Sequence, residues 1–394
     1  MTIRRPVGPW VVLALLLSAC AARVTPIGTD GQVFVPRPDE RLLWARADGE
    51  ARILLERVPL YGDVSLAAYL ASLVERLAPG VAGGPVPRVL VLRDPTLAAF
   101  ALPDGRVFLH AGLLAAVETE SQLALVLARE LAHVFQRHAL AAWRAGRVTV
   151  PSLAGGAEPL SPTAAAILGA GLPVMATAAL TGYGDDLERE ADVVALAGLV
   201  GGGWDPRAAT VVWPVLAADL AGRDGLEVFL PARPAWLAAR QESASAVPGA
   251  RTVASPAGME TLATHRRSLL RDNAVDDLRR GRFALARRQL ERVLAAEPTD
   301  ALAHVHYGEL HRLRSQRAAT LRERDGEMRQ ARARYLHALA LDSALALAHR
   351  QLGLLYYQQD DVPRARAALE EYLKRAPAAP DAARIAEYVR ELGG

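Results

Sequence analysis

The sequence predicts an α+β domain followed by an all-α helical solenoid, and three observations carry that prediction. Two short apolar runs, "RVLVL" (Arg88–Leu92) and "RVFLH" (Arg106–His110), read as strands among segments with helical spacing. From about residue 267 the strand signals stop and one helical phrase recurs three times. Between them, residues 248–266 are low in large apolar side chains and read as a linker.

Composition sets the frame. A chain of 394 residues, 51% apolar and 23% charged, has material for a sizeable core and length for two or more domains. The formal net charge of +3 is small for this length, and no basic run is interleaved with aromatics, so nucleic acid is not an expected partner.

Taken in order, "MTIRR" is basic and "VGPWVVLALLLSA" is apolar, so residues 1–19 read as a secretion signal too short to span a membrane comfortably. Its end, "LSAC" (Leu17–Cys20), resembles the lipobox of bacterial lipoproteins. That resemblance implies acylation of Cys20, the only cysteine, with two or three chains, which anchors a protein stably. Ala21, in place of Asp, implies the periplasmic face of the outer membrane. An ordinary signal peptide with an incidental cysteine is the alternative. With one cysteine, no disulfide assists the fold.

Residues 20–45, rich in Pro, Gly and Asp, are expected to form a tether, and 46–247 a compact mixed domain. "LAAYLASLVERL" (Leu66–Leu77) has helical spacing, and "PDG" (Pro103–Gly105) is a turn before the second strand. Gln122–Trp143 is expected as one long helix, and a second runs from about Asp185 to Val200, stopping at "GGGWDP". The charge-free stretch Ser161–Leu180 is interrupted by Gly169, Gly171 and Pro173 and reads as a buried or interfacial helix pair, with a membrane span as the alternative.

In residues 267–394, Ser343 and Pro377 lie 34 residues apart, the period of tetratricopeptide repeats. Pro298 and Ser343 lie 45 apart, which fits one repeat with an insertion in "SQRAATLRERDGE", between the helices of the middle repeat. Gly308, Ala331, Gly353 and Ala365 stand where such repeats need close helix contacts. Stacked repeats form a groove for a peptide or partner protein; a helical cap without a ligand is the alternative.

The chemistry centres on "VLARELAHVFQRH" (Val126–His138). It has the frame of HExxH, in which two His at i and i+4 share a helix face and the Glu activates a metal-bound water. Arg129 stands where the first His belongs. A guanidinium stays protonated and offers no lone pair to a metal. His138, five residues after His133, would lie about 140° away around a continuous helix. Arg129 and His133 share a face, so Arg129 is expected to point where a metal would sit. Two alternatives remain: Arg129 turned outward over a weak two-ligand site, or a sequence error.

"AAFALPDGRVFLHAGLL", "ETESQLALVLARELAHVFQRH", "EREAD" and "GWDPRAA" occur in the order seen in zinc metallopeptidase family M-48, of HtpX, CAAX-processing and BepA-like proteases. The resemblance covers about Val58 to Ala238 and implies a gluzincin-like α+β fold. It places Glu130 on the general base, His133 and Glu188 on metal ligands, and Asp192 on the supporting carboxylate. Arg129 and Arg233 occupy positions where ligands are lost. The resemblance thus implies Glu130 and Glu188 where Arg129 points, and the guanidinium is expected to form bidentate pairs with them in place of a metal's charge. It also implies Zn2+ as cofactor, if any is bound, and makes "AAFALPDG" an edge strand that runs beside a peptide, with Ala98 in place of the usual Asn. Two functions follow. One is a non-catalytic envelope lipoprotein that binds unfolded or assembling envelope proteins through cleft and repeat groove, as chaperone or assembly scaffold. The other is an active zinc endopeptidase with an atypical site.

Overall fold

The computed structural model describes residues 24–28, 31–78, 80–146, 183–221 and 256–393. They divide into two compact units, one through Leu220 and one from Glu260 onward. Cys20, the stretch 161–180 and Arg233 lie outside the described residues.

The first unit begins with α1 (Pro38–Arg57), where Pro38 sits in the first turn with Asp39 and Glu40. Proline tolerates that position and the carboxylates favour the positive end of the helix dipole. Leu43, Ala47, Ala51 and Leu54 recur at helical spacing and are buried. The expected tether through residue 45 is therefore corrected: its last third is the start of a core helix. Periodicity was masked there by charged residues on the solvent face.

Helix α2 (Val64–Leu77) is capped by Asp63, whose side chain accepts from the Leu66 N–H. Three strands follow: β1 (Arg88–Leu92), β2 (Ala99–Ala101) and β3 (Arg106–His110), in the order β1-β3-β2. β1 pairs parallel with β3 from Arg88↔Arg106 to Leu92↔His110. β2 returns antiparallel, setting Phe100 opposite Phe108, and these rings stack at 5.0 Å. The turn between them needs Gly105, at φ 96°, as "PDG" predicts. β2 is an edge of the sheet, and helix α4 (Glu120–Phe135) packs against it after the short α3 (Ala111–Ala116). Gly112 of α3 lies so close to the 95–96 backbone that a Cβ would sit 2.0 Å from the Pro95 carbonyl.

Helix α4 is buried from Gln122 to Val134, including Arg129, Glu130 and His133. It does not run to Trp143. It ends at Phe135, Arg137 adopts φ 61°, and α5 (His138–Arg144) starts in a new direction. A left-handed residue other than Gly costs about 1 kcal/mol, and what holds it is remote in sequence. The Arg137 guanidinium meets Glu40 of α1 at 2.8 and 2.5 Å and donates to the Thr25 carbonyl at 3.0 Å. The Ile27 N–H takes the Phe135 carbonyl at 2.8 Å.

Helix α6 (Asp185–Gly201) packs along α4, followed by α7 (Pro206–Thr210) and α8 (Val212–Ala221). The "GGGWDP" stop folds back as a clasp. Arg76 of α2 lies 3.7 Å over the Trp204 ring and donates to the Gly202 carbonyl, while Trp204 and Arg76 both donate to Glu120.

The second unit is a series of helices: α9 (Pro256–Arg279), α10 (Phe283–Ala296), α11 (Ala301–Ser315), α12 (Leu321–Leu341), α13 (Ala346–Tyr357), α14 (Val362–Arg375) and α15 (Ala382–Glu391). Successive helices pack on one another. The expected linker through residue 266 ends by Pro256, because α9 crosses that boundary unbroken. The insertion expected between the middle helices lengthens the second of them instead: α12 starts at Leu321, where Thr320 and Glu323 cap each other reciprocally. Gly308 lies against the Tyr335 ring and Gly353 against Leu369, at distances where a Cβ would clash, while Ala331 and Ala365 are fully buried.

Two outcomes follow from this packing. Replacing Arg137 with Ala leaves Glu40, 2% exposed, without its cation. The expected loss in urea unfolding is about 3–5 kcal/mol; a loss under about 1 kcal/mol would make the pair solvent-screened. His110, Asp94 and Thr96 form a fully buried cluster, with Thr96 Oγ1 2.7 Å from both Asp94 Oδ1 and His110 Nδ1. Burial holds the His110 pKa below its ordinary 6.5, against the pull of Asp94. The unfolded chain takes up this proton near pH 6.5 while the folded chain resists it, so stability is full above that pH and falls below it. Thermal unfolding of His110→Gln should show a shallower acid slope than wild type; identical slopes would reject the assignment.

Candidate active site

The four residues predicted to share a centre, Glu130, His133, Glu188 and Asp192, do meet, and Arg129 lies among them. Glu130 and His133 come from α4, Glu188 and Asp192 from the first two turns of α6. All five residues are at most 7% exposed. Arg129 does not turn outward. Its Nε donates to Asp192 Oδ1 at 3.2 Å, Nη1 to Glu130 Oε1 at 3.2 Å, and Nη2 to Glu188 Oε2. The bidentate pairing expected is replaced by one bond to each of three carboxylates, because the carboxylates approach from two helices and not from one side.

Two neighbours complete the centre. The Tyr183 backbone N–H donates to the other Glu188 oxygen at 3.1 Å, and its ring lies 5.2 Å from that of His133. Burial, then Glu130 and Glu50, push the Tyr183 phenol well above its ordinary range, so it stays protonated. His138, expected to be out of reach, is in contact: its Nδ1 lies 2.9 Å from His133 Nδ1, so one ring donates and the other accepts. The 140° argument fails because the helix it assumed stops at Phe135. Burial and then the Arg129 charge outweigh the pull of Asp186 and push the His138 pKa down to about 4, so the ring stays neutral. No local signal marks His138 or Tyr183 as members of the centre; the break at Arg137 and the placement of residue 183 depend on partners far along the chain.

A zinc site asks for three side chains presenting lone pairs and one open position. The residues here do not fit it. Arg129 presents only donors, and one oxygen of Glu188 is taken by Arg129 and the other by Tyr183. His133 Nδ1 is engaged by His138, while its Nε2 lies 3.7 Å from Glu188 Oε2. Among the described residues, no three His, Cys, Asp or Glu side chains are gathered in a way that could hold a metal ion. What the arrangement does chemically is hold three buried carboxylates through charge-assisted hydrogen bonds and offset part of their charge. Truncating Arg129 to Ala should cost at least about 3 kcal/mol in denaturant unfolding, as loss of one member of a buried pair does. A neutral outcome would show that another group compensates Glu188.

Comparison with known proteins identifies the family. Of the 394 residues, 65–279, more than half, match the model of peptidase family M48. The chain is 31% identical over 173 residues to the beta-barrel assembly-enhancing protease of Escherichia coli, covering 41% of this chain and 34% of that protein. It is 35% identical over 126 residues to the mitochondrial metalloendopeptidase OMA1 of Schizosaccharomyces pombe, covering 31% of this chain and 35% of that protein. The match thus spans about a third of the length of each relative. The chain belongs to peptidase family M48.

Proposed function

We propose that this chain is a non-catalytic member of its family that binds unfolded or assembling envelope proteins as a chaperone or assembly scaffold. One observation carries the reading: the Arg129 guanidinium, bonded to Glu130, Glu188 and Asp192, sits where the family motif calls for a metal ligand. Glu130, aligned with the general base, accepts from a cation in place of addressing a water. The name of the Escherichia coli relative, a beta-barrel assembly-enhancing protease, supports an envelope setting. In this reading Cys20 is acylated and anchors the chain at the periplasmic face of the outer membrane. The second unit is a tetratricopeptide solenoid, supported by the 34-residue spacing and by the close contacts at Gly308 and Gly353. The edge strand β2, beside α4, and the repeat groove are the two client-binding surfaces.

A second reading, an active zinc endopeptidase with an atypical site, is favoured by one observation: the broken helix places a second histidine, His138, beside His133. Metal content separates the two. Elemental analysis of the purified mature protein should find no stoichiometric zinc, and unfolded casein should survive incubation with it. An Arg129→His variant should bind one equivalent. Zinc in the natural protein, with casein cleavage lost on Glu130→Gln, would establish the second reading.

A further inference from the structure

We propose that the surface formed by residues 31–37 and the loop 81–86 lies against the lipid bilayer, set there by a short link to Cys20. The proposal rests on acylation of Cys20 and adds an orientation to it. Val24 is the fourth residue after Cys20, and four residues span at most about 14 Å. A flexible tether through residue 45 would have allowed a mean reach of roughly 25–30 Å and far more at full extension. The docked segment removes that slack.

Docking begins at once. Val24 packs on the core of the first unit, the Thr25 carbonyl accepts from Arg137, and the Ile27 N–H bonds to the Phe135 carbonyl. Further on, the Phe34 N–H donates to the Ala82 carbonyl at 2.8 Å, and Gly83 comes so close that a Cβ would lie 2.3 Å from the Phe34 carbonyl. The membrane anchor is thus within a few residues of fixed structure.

The surface beside this attachment has the chemistry of a lipid interface. Exposure alternates along the segment: Val33 is 67% and Val35 73% exposed, while Phe34 turns inward to Trp44 and the Arg137 guanidinium. Val86, 68% exposed, belongs to the loop on which the segment docks. Single exposed valines are ordinary, but Val33 and Val35 stand on the segment that leads from the anchor, and Val86 on the loop it docks against, and such side chains suit the acyl boundary. Arg37 and Arg41, both exposed, follow directly and suit anionic headgroups.

The single cysteine makes the test clean, since acylation blocks its thiol and an introduced cysteine is then the only reactive one. The full lipidated chain carrying Val35→Cys would be labelled with an environment-sensitive fluorophore and placed in phosphatidylethanolamine–phosphatidylglycerol vesicles containing brominated lipid. Val64→Cys is the control: it is 84% exposed and lies about 20 Å along α2 from the docked end. Loss of emission at position 35 and not at 64 is expected. Equal or absent loss at both sites, with acylation verified by mass spectrometry, overturns the orientation and leaves the anchor standing. An unmodified Cys20 overturns both. Emission changes at position 35 that appear without lipid and scale with protein concentration would assign the patch to a second copy of the chain and overturn the bilayer as its partner.

Discussion

Three carboxylates, from Glu130, Glu188 and Asp192, converge in the buried centre of the first unit, and the Arg129 guanidinium is what makes that convergence tolerable. Buried anions are stable only when paired and hydrogen-bonded. A divalent ion would join α4 to α6 through lone pairs. Arg129 joins the same helices through three nitrogens, each given to a different carboxylate. The fold retains a charged centre and its two-helix geometry, and on the proposed reading that centre no longer polarises a bound water. Structure and catalysis, which depend on one ion in a metal-bearing site, are on that reading separated by one side chain.

A second constraint lies at the end of α4. The break at Arg137 fixes the direction of α5, brings His138 onto His133, and leaves the Phe135 carbonyl for Ile27. The buried Arg137–Glu40 pair thus connects the N-terminal segment, α1 and the centre. A strained residue is held where its surroundings over-determine it, and here they do so from three separate parts of the chain.

Legibility follows the range of the interactions involved. The strands Arg88–Leu92 and Arg106–His110 were readable to the residue, because β-branched and aromatic side chains bounded by "PDG" leave a local signature. Helix α6 was readable, as were the close contacts at Gly308 and Gly353. The grouping of Glu130, His133, Glu188 and Asp192 was implied by the family resemblance, while helical spacing alone put only Arg129 and His133 on one face. Among the expectations that failed, three lay at boundaries. The tether, the long helix through Trp143 and the linker to residue 266 were judged from composition or continued periodicity. In the structure α1 burial, the Arg137–Glu40 pair and the unbroken α9 decide them. Neither His138 nor Tyr183 could be placed in the centre, since both arrive by chain paths that no window of sequence contains.

The retained residues are consistent with loss of catalysis without loss of the centre. With Arg129 at the position of the metal ligand, Glu188 and Asp192 each accept from a buried guanidinium and so have a structural role that needs no metal. Their presence is therefore accounted for by the ion-pair network as well as by proteolysis. The same reasoning separates peptide binding from cleavage. An extended chain laid along β2 would be held by backbone hydrogen bonds, which need an open strand edge and no metal. On the proposed reading, binding survives the substitution and cleavage does not, so what the centre now supplies is rigidity beneath the edge strand.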